Sequence, residues 1–313
     1  MQTRLRIGTR GSALALKQTH EFVATLARAE GWDINEAERR VEVVVIKTTG
    51  DAVQDRSLAD IGGKGLFAKE IEEALLAQRI DCAVHSLKDM PSFLPGALAI
   101  VCHLEREDPR DAFVSPKAAL LRDLPQAAVV GSSSVRRQAI MLNQRPDLKI
   151  VNFRGNVDTR LRKLAEGHAD ATVLALAGLK RLGMEAHARH VFTAEEMLPS
   201  VAQGVIAIEV RADDTKVRDR VAAIDHRATA LAASLERAFL QVLDGSCKTP
   251  LAGLAQWHDD AWRFRGAALS LDGRQRFDVA RDAAARTAEE AEAIGRDAGE
   301  ELLRRAGRQF FMQ

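Results

Sequence analysis

The sequence predicts an α/β fold built from more than one domain. Three features predict it. The chain has 313 residues, too many for one small core and enough for two or three. Short apolar runs alternate with helix-period patterns through its first two thirds, the rhythm of helices laid over sheets. At 46% hydrophobic and 28% charged residues, it has the composition of an ordinary globular protein, and disorder is not the default.

The elements follow in order. Leu5, Arg6 and Ile7 read as a first strand, and Leu16, Val23, Leu26 and Ala27 then recur on one helical face. Residues 41–46 are β-branched and continuous, like a buried strand, residues 66–76 read as helix, and 82–84 as strand again. The cycle resumes with strands at 128–131, 149–152 and 171–174, each followed by a helix pattern. Charged residues with Pro109 at 105–110 mark a crossing between lobes, and 199–204 a second crossing. A last α+β segment starts near Ala228. It offers a helix over 230–242, Gly/Pro punctuation around Cys247, strands near 262–271 and 274–280, and a closing helix with Ala291, Ile294, Ala298 and Leu302 on its apolar face. The expected division is residues 1–104 plus 205–224, 105–204, and 225–313.

A net charge of +1 argues against a dedicated nucleic-acid or acidic-membrane binder. No run of about 18 apolar residues suggests a membrane span, and the first residues lack the apolar core of an export signal. Three widely spaced cysteines make a poor disulfide framework, so a reducing cytoplasm is the expected compartment. Cys82 and Cys102 sit in apolar strand patterns and read as inert core. Cys247 sits in a polar loop, Leu243 to Pro250, beside Lys248, which favours the thiolate. It reads equally as structural or as a nucleophile or attachment point.

Four polar constellations fall at the ends of expected strands, where open α/β sheets place ligands. Thr9-Arg10-Gly11-Ser12 offers a helix cap and a guanidinium fork. The stretch Gly62-Gly63-Lys64-Gly65-Leu66-Phe67 is glycine-dense, but Gly65 stands where a P-loop requires Ser or Thr. His85-Ser86-Leu87-Lys88-Asp89-Met90-Pro91 runs from a strand straight into polar side chains, and its bland reading is a polar turn. The fourth comprises two strand-to-helix junctions, Ser132-Ser133-Ser134 with Arg136 and Arg137, and Arg154-Gly155-Asn156 with Arg160. Cations at helix N-termini oppose the macrodipole, at roughly 0.3–1 kcal/mol each, so four arginines there call for a compensating anion. Phosphate, carboxylate and RNA all qualify. RNA would favour interleaved aromatics, and only Phe67 and Phe153 lie near these loops, so a polycarboxylate small molecule fits better.

Taken together, nine segments in order resemble the porphobilinogen deaminases over nearly the whole chain: LRIGTRGS, GGKGLF, HSLKDMP, EREDPRD, GSSSVRRQ, RGNVDTRL, LAGLKRLG, LPSVAQG and the Cys247 loop. Many relatives carry Gly where Ser246 stands. The resemblance implies two lobes similar to two-lobed periplasmic binding proteins, with a smaller α+β third domain. It implies an enzyme that joins four porphobilinogen molecules, with loss of ammonia, into hydroxymethylbilane on a dipyrromethane cofactor thioether-linked to Cys247. It places the catalytic carboxylate on Asp89. It assigns acetate and propionate binding to Arg10, Arg136, Arg137, Arg154, Arg160 and Arg181, with Lys88, Ser86 and Ser134. Ser12, Lys64, Phe67, Ser132, Ser133, Gly155, Asn156 and Gln203 complete the implied binding set. No metal, nucleic acid or membrane is implied. A monomer is expected, with possible hand-over of product to the next enzyme of the pathway. The rivals are a solute-binding protein without chemistry and an RNA- or nucleotide-binding protein. The first lacks a reason for Cys247's setting, and near-zero charge disfavours the second.

Overall fold

The computed structural model describes residues 4–52, 65–243 and 249–312, which form two compact units. In the first are β1 (Leu5–Thr9), α1 (Ala13–Glu30), α2 (Ile34–Arg40), β2 (Val41–Val45), α3 (Thr49–Ala52), α4 (Lys69–Leu76), β3 (Cys82–Ser86) and β4 (Leu98–His103). The second opens with β5 (Asp111–Val114), β6 (Val129–Gly131), α5 (Val135–Gln144), β7 (Lys149–Val151), α6 (Val157–Ala165), β8 (Ala171–Ala175), α7 (Leu176–Leu182) and β9 (His190–Val191). The chain then returns to the first unit with β10 (Ile206–Arg211) and α8 (Thr215–Ala222). Helix α9 (Arg227–Val242), strands β11 (Leu251–His258), β12 (Ala261–Leu269) and β13 (Arg276–Ala283), and helix α10 (Ala288–Ala306) close the chain.

Each of the first two sheets has five strands, ordered β2-β1-β3-β10-β4 and β7-β6-β8-β5-β9. In each, three parallel strands are followed by one antiparallel strand. That fourth strand is the one the chain enters from a crossing: β10 in the first, β5 in the second. Two unit boundaries, at 107/108 and 203/204, fall inside the two segments expected to cross, and a third, at 230/231, falls within α9. Glu107 N–H donates to the Gly204 carbonyl at 3.3 Å. Gly204 has φ +90°, and a Cβ there would stand 2.2 Å from the Glu107 carbonyl oxygen, so this approach requires glycine.

Strand alternation decides which side chains meet which helix. Cys82, Val84, Ile206, Ile208 and Val210 face Phe22 and Leu26 of α1, and all are buried. Ala83 on the opposite face lies under Ile71, Ala74 and Leu75 of α4. In the second unit, Phe113, Val130 and Val173 pack on Ala139, Ile140 and Met141 of α5, and the same cluster takes in Ala252, Leu254, Ala267 and Leu269 of the third sheet. That sheet, antiparallel β11-β12-β13, thereby rests on the second lobe, and Phe239 of α9 stacks edge-on against its Phe264 at 5.0 Å. The chain thus has two α/β lobes and a smaller α+β C-terminal part.

Several expectations need correction. Residues 41–45 form a strand, but an edge strand. Val43 is 36% and Val45 52% exposed, because β2 is outermost in its sheet. On α1 the fully buried stripe is Ala15, Gln18, Thr19, Phe22, Leu26 and Ala27, with Leu16 and Val23 only half-buried on its flank. On α10, Gly295 and Gly299 join Ala291, Ala298 and Leu302 in the buried stripe, and Ile294 is half-buried. Strand β11 was not expected. Its sequence, LAGLAQWH, has no β-branched residue, and its pairing with β12 makes it a strand.

Candidate active site

In the first unit, the ends of β1 and β3 bring one cluster together. Ser12 caps α1, its hydroxyl accepting the Ala15 N–H at 3.2 Å. Arg10, just before it, pairs with Asp51 through both Nη2 and Nε, and lies 4.1 Å over the Phe67 ring. Thr48 Oγ1 donates to the same Asp51 carboxylate at 2.8 Å. Burial alone would push the Asp51 carboxyl up, and the Arg10 guanidinium outweighs it and holds the group below its ordinary value. Arg10 is therefore an oriented cation.

Strand β3 ends at Ser86, whose hydroxyl exchanges hydrogen bonds with the Gln18 amide at 2.8 and 3.1 Å. A single 3₁₀ turn, Leu87–Asp89, follows. Leu87 N–H donates to the Val205 carbonyl at 3.0 Å, anchoring the turn beside the returning strand. Lys88 and Asp89 are exposed. Asp89 makes no side-chain hydrogen bond among the described residues. Arg10, Gln18, Phe67, His85, Ser86 and Asp89 line one pocket.

In the second unit the implied binding residues gather at the ends of β6, β7 and β8. Ser134 caps α5 and Asn156 caps α6. Ser133 joins the two junctions, donating to Asn152 Oδ1 at 2.7 Å and accepting from Phe153 N–H at 3.1 Å. The Ser132 hydroxyl accepts the Ser134 N–H at 3.2 Å. Arg154 is only 7% exposed, and Arg160 Nε donates to the carbonyl of Gly155, whose φ is +121°. Arg181 lies in the last turn of α7, half-buried.

Arg136 and Arg137 are buried and share one carboxylate, which sequence reasoning missed. Asp111, at the start of β5 and wholly buried, accepts Arg136 Nη2 at 2.7 Å and Arg137 Nη2 at 2.7 Å. Gln203 donates to the same carboxylate at 2.8 Å and to the Pro109 carbonyl at 2.7 Å. Burial alone would push the Asp111 carboxyl up, but the two guanidiniums hold it far below the ordinary carboxylate range. Asp111 is thus the anion that arginines at a helix start demanded. The signal was present in EREDPRD, but sequence does not show which acid returns to which helix. Further hydrogen bonds run from Arg136 to the Leu198 carbonyl and from Arg137 to the Val173 carbonyl. Arg136 Nε remains buried without an acceptor. Gln18 was also missed, since it sits mid-helix among apolar neighbours.

Cys82 and Cys102 are buried and free, as their apolar settings implied. Burial pushes the Cys102 thiol up to about 12 and Cys82 higher still, so neither supplies a thiolate near neutral pH. The expectations for Lys64 and Cys247 concern residues outside the described ones.

Comparison with known proteins decides the family. The model for porphobilinogen deaminase, dipyromethane cofactor binding domain, matches residues 5–219, and that for porphobilinogen deaminase, C-terminal domain, matches residues 230–304. The chain belongs to the porphobilinogen deaminase family. A porphobilinogen deaminase of Nitrobacter hamburgensis is 53% identical over 97% of this chain and 94% of its own length. One of Paracoccus denitrificans is 54% identical over 99% and 97%. A chloroplastic porphobilinogen deaminase of Pisum sativum is 51% identical over 98% and 83%. Among solved structures, the methionine-binding protein MetQ is similar at a TM-score of 0.45, with 14% identity over 71% of this chain and 89% of that one. A likeness at that level says nothing of what this chain binds.

The residues present fit the cofactor of that family. A dipyrromethane carries a carboxylate on each acetate and propionate arm. Two buried guanidiniums face one Asp111 carboxylate, leaving a positive excess, and Arg136 Nε–H has no acceptor. A buried cation without full compensation is costly unless an anion completes it.

Proposed function

We infer that this chain is a transferase of tetrapyrrole biosynthesis. It joins four porphobilinogen molecules, with loss of ammonia, into the linear hydroxymethylbilane on a dipyrromethane primer, and hydrolysis then releases the product. The observation that carries this reading is the family match through both the cofactor-binding and C-terminal regions.

The primer's role is to offer the free α-carbon on which the first ring is added. We assign its attachment to Cys247. In unit one, Arg10, Ser86 and Lys88, with Ser12, Phe67 and Lys64 beside them, would bind substrate. In unit two, Arg154, Arg160 and Arg181, with Arg136, Arg137 and the serine-capped junctions, would bind the carboxylate arms. Bidentate guanidiniums suit this task because every ring brings two carboxylates. Ser133, Gly155 and Asn156 would supply backbone N–H groups at helix starts, while the Ser132 N–H goes to the Val151 carbonyl and the Ser134 N–H to Ser132 Oγ, so Ser132 and Ser134 would act by shaping the junction. Gln203 is better read as a positioning residue, because it is bonded to Asp111 and Pro109.

Asp89 is the proposed catalytic carboxylate. Loss of ammonia from the protonated aminomethyl group leaves an electron-poor azafulvenium cation. An ionised carboxylate set against its pyrrole N–H stabilises that charge where it develops. What supports Asp89 in this role is its place in the pocket beside Arg10 and Ser86, with no hydrogen bond of its own among the described residues. The chain is further read as three domains with the bounds expected above, acting as a monomer in the cytoplasm. Among the described residues no helix is long and apolar enough to cross a membrane.

The test is turnover. Purified enzyme should release one ammonia per porphobilinogen consumed and yield a linear tetrapyrrole. Asp89→Asn should fold normally and lose several orders of magnitude in turnover. Porphobilinogen left unconsumed by the parent would end the functional reading, and near-parent turnover by Asp89→Asn would end the role of that residue.

A further inference from the structure

Behind the Asp89 pocket lies a buried titratable cluster that the functional reading does not use. His85 on β3 and Glu209 on β10 are 6% and 0% exposed. The register pairs His85 with Ala207, two residues from Glu209, so both side chains stand on one face of the sheet. His85 Nε2 lies 3.1 Å from Glu209 Oε2. Helix α4 covers this face and contributes Glu72. Glu209 Oε1 and Glu72 Oε1 are both buried without a hydrogen-bond partner. Burial and the Glu209 charge push the Glu72 carboxyl up. His85 Nδ1 has no hydrogen-bond partner among the described residues, and His85 is among the residues that line the pocket with Asp89.

Buried carboxylates with unpartnered oxygens are costly, and an apolar pair would fold as well. Their place at a pocket points to proton chemistry. Each ring coupling requires such chemistry. The ring's α-carbon bonds to the electrophilic methylene and must then lose its proton, so that the C–H electron pair restores the aromatic ring. A second base in the same pocket takes this proton without discharging the Asp89 carboxylate that faces the cation. Imidazole is the side chain whose ordinary titration lies near neutrality.

We propose that His85, held through Nε2 by Glu209, is the proton acceptor that takes the α-proton at Nδ1 after each coupling. The proposal rests on the polymerising function above. The imidazolium formed is neutralised by Glu209 and returns its proton to solvent before the next cycle. The charged and titratable groups facing His85 are Glu209 from β10, Glu72 from α4, Asp89 from the turn after β3, and Arg10, itself paired with Asp51. Glu209 acts as a positioning residue: through its contact with Nε2 it fixes the tautomer and orientation of the ring.

The test uses the loaded holoenzyme. His85→Gln should load its primer normally by intact mass, keep KM within about threefold and lose about 100-fold in kcat. It should also show a larger isotope effect with porphobilinogen deuterated at the free α-carbon. Glu209→Gln, which keeps the volume, should change the His85 tautomer read by NMR of ¹⁵N-histidine enzyme and lower kcat about tenfold with KM kept. A purely structural role would move neither. Normal kcat in loaded His85→Gln, or an unchanged tautomer and kcat in Glu209→Gln, would overturn the proposal while leaving the polymerising function standing. An inactive parent would overturn both.

Discussion

Asp111 shows how one carboxylate organises two buried cations. Removing one partner of such a cluster leaves the others uncompensated, at a cost of about 3–5 kcal/mol. Asp111→Ala should therefore lower stability toward urea by that order at pH 7. The pH dependence has a definite sign. The folded carboxyl titrates below its unfolded value of about 3.9, so its contribution is full above that pH and fades as pH falls toward the folded value. The gap between parent and Asp111→Ala should begin to narrow as pH falls below about 4 and go on narrowing toward the far lower folded value. A gap under about 1 kcal/mol at pH 7, or one that widens in acid, would contradict the assignment. At this scale the sequence was partly legible. The Ser12 cap and the core cysteines could be read because each depends on its immediate neighbours, whereas the caps at Ser134 and Asn156 emerged only with the structure. The partners Asp111, Gln203 and Gln18 could not, because they come from distant segments that only folding brings together.

At the scale of elements, periodicity found β1, β2, β3, β6, β7, β8, β12 and β13 and the long helices, and passed over β4 and β10 despite their β-branched residues and the capped helices α2 and α8. It failed where packing overrides propensity. Strand β11 is one case, and the seam between α9 and α10 is the other. A Cβ at Gly295 would stand 2.1 Å from the Leu235 carbonyl oxygen, so the two helices touch there through backbone. Glycine normally weakens a helix by about 1 kcal/mol against alanine, and here that cost is outweighed by close contact. Gly295→Ala should accordingly destabilise, by about 1–3 kcal/mol of overpacking, despite its better propensity. Glu300→Ala, on the exposed side of the same helix, should leave the melting temperature nearly unchanged. A higher melting temperature for Gly295→Ala would show that the helices separate freely.

Across the whole molecule, the alternation of apolar runs gave the α/β class, and the order of polar segments gave the family. What neither gave is the strand order. Both lobes place an antiparallel crossing strand fourth in the sheet, and this arrangement sets β3 and its Asp89 turn directly beside β10. A nearly neutral total charge also hides the local gathering of Arg136, Arg137, Arg154 and Arg160 at two strand-to-helix junctions.

Under the proposed function, a covalently held oligopyrrole grows while the protein's own groups remain unchanged. Intact mass spectrometry tests it most directly. The purified enzyme should weigh more than its translated sequence by two pyrrole units. Adding porphobilinogen should raise the mass in steps of one deaminated ring, and Cys247→Ser should return it to the translated value. An active polypeptide with no mass beyond its residues would contradict the account.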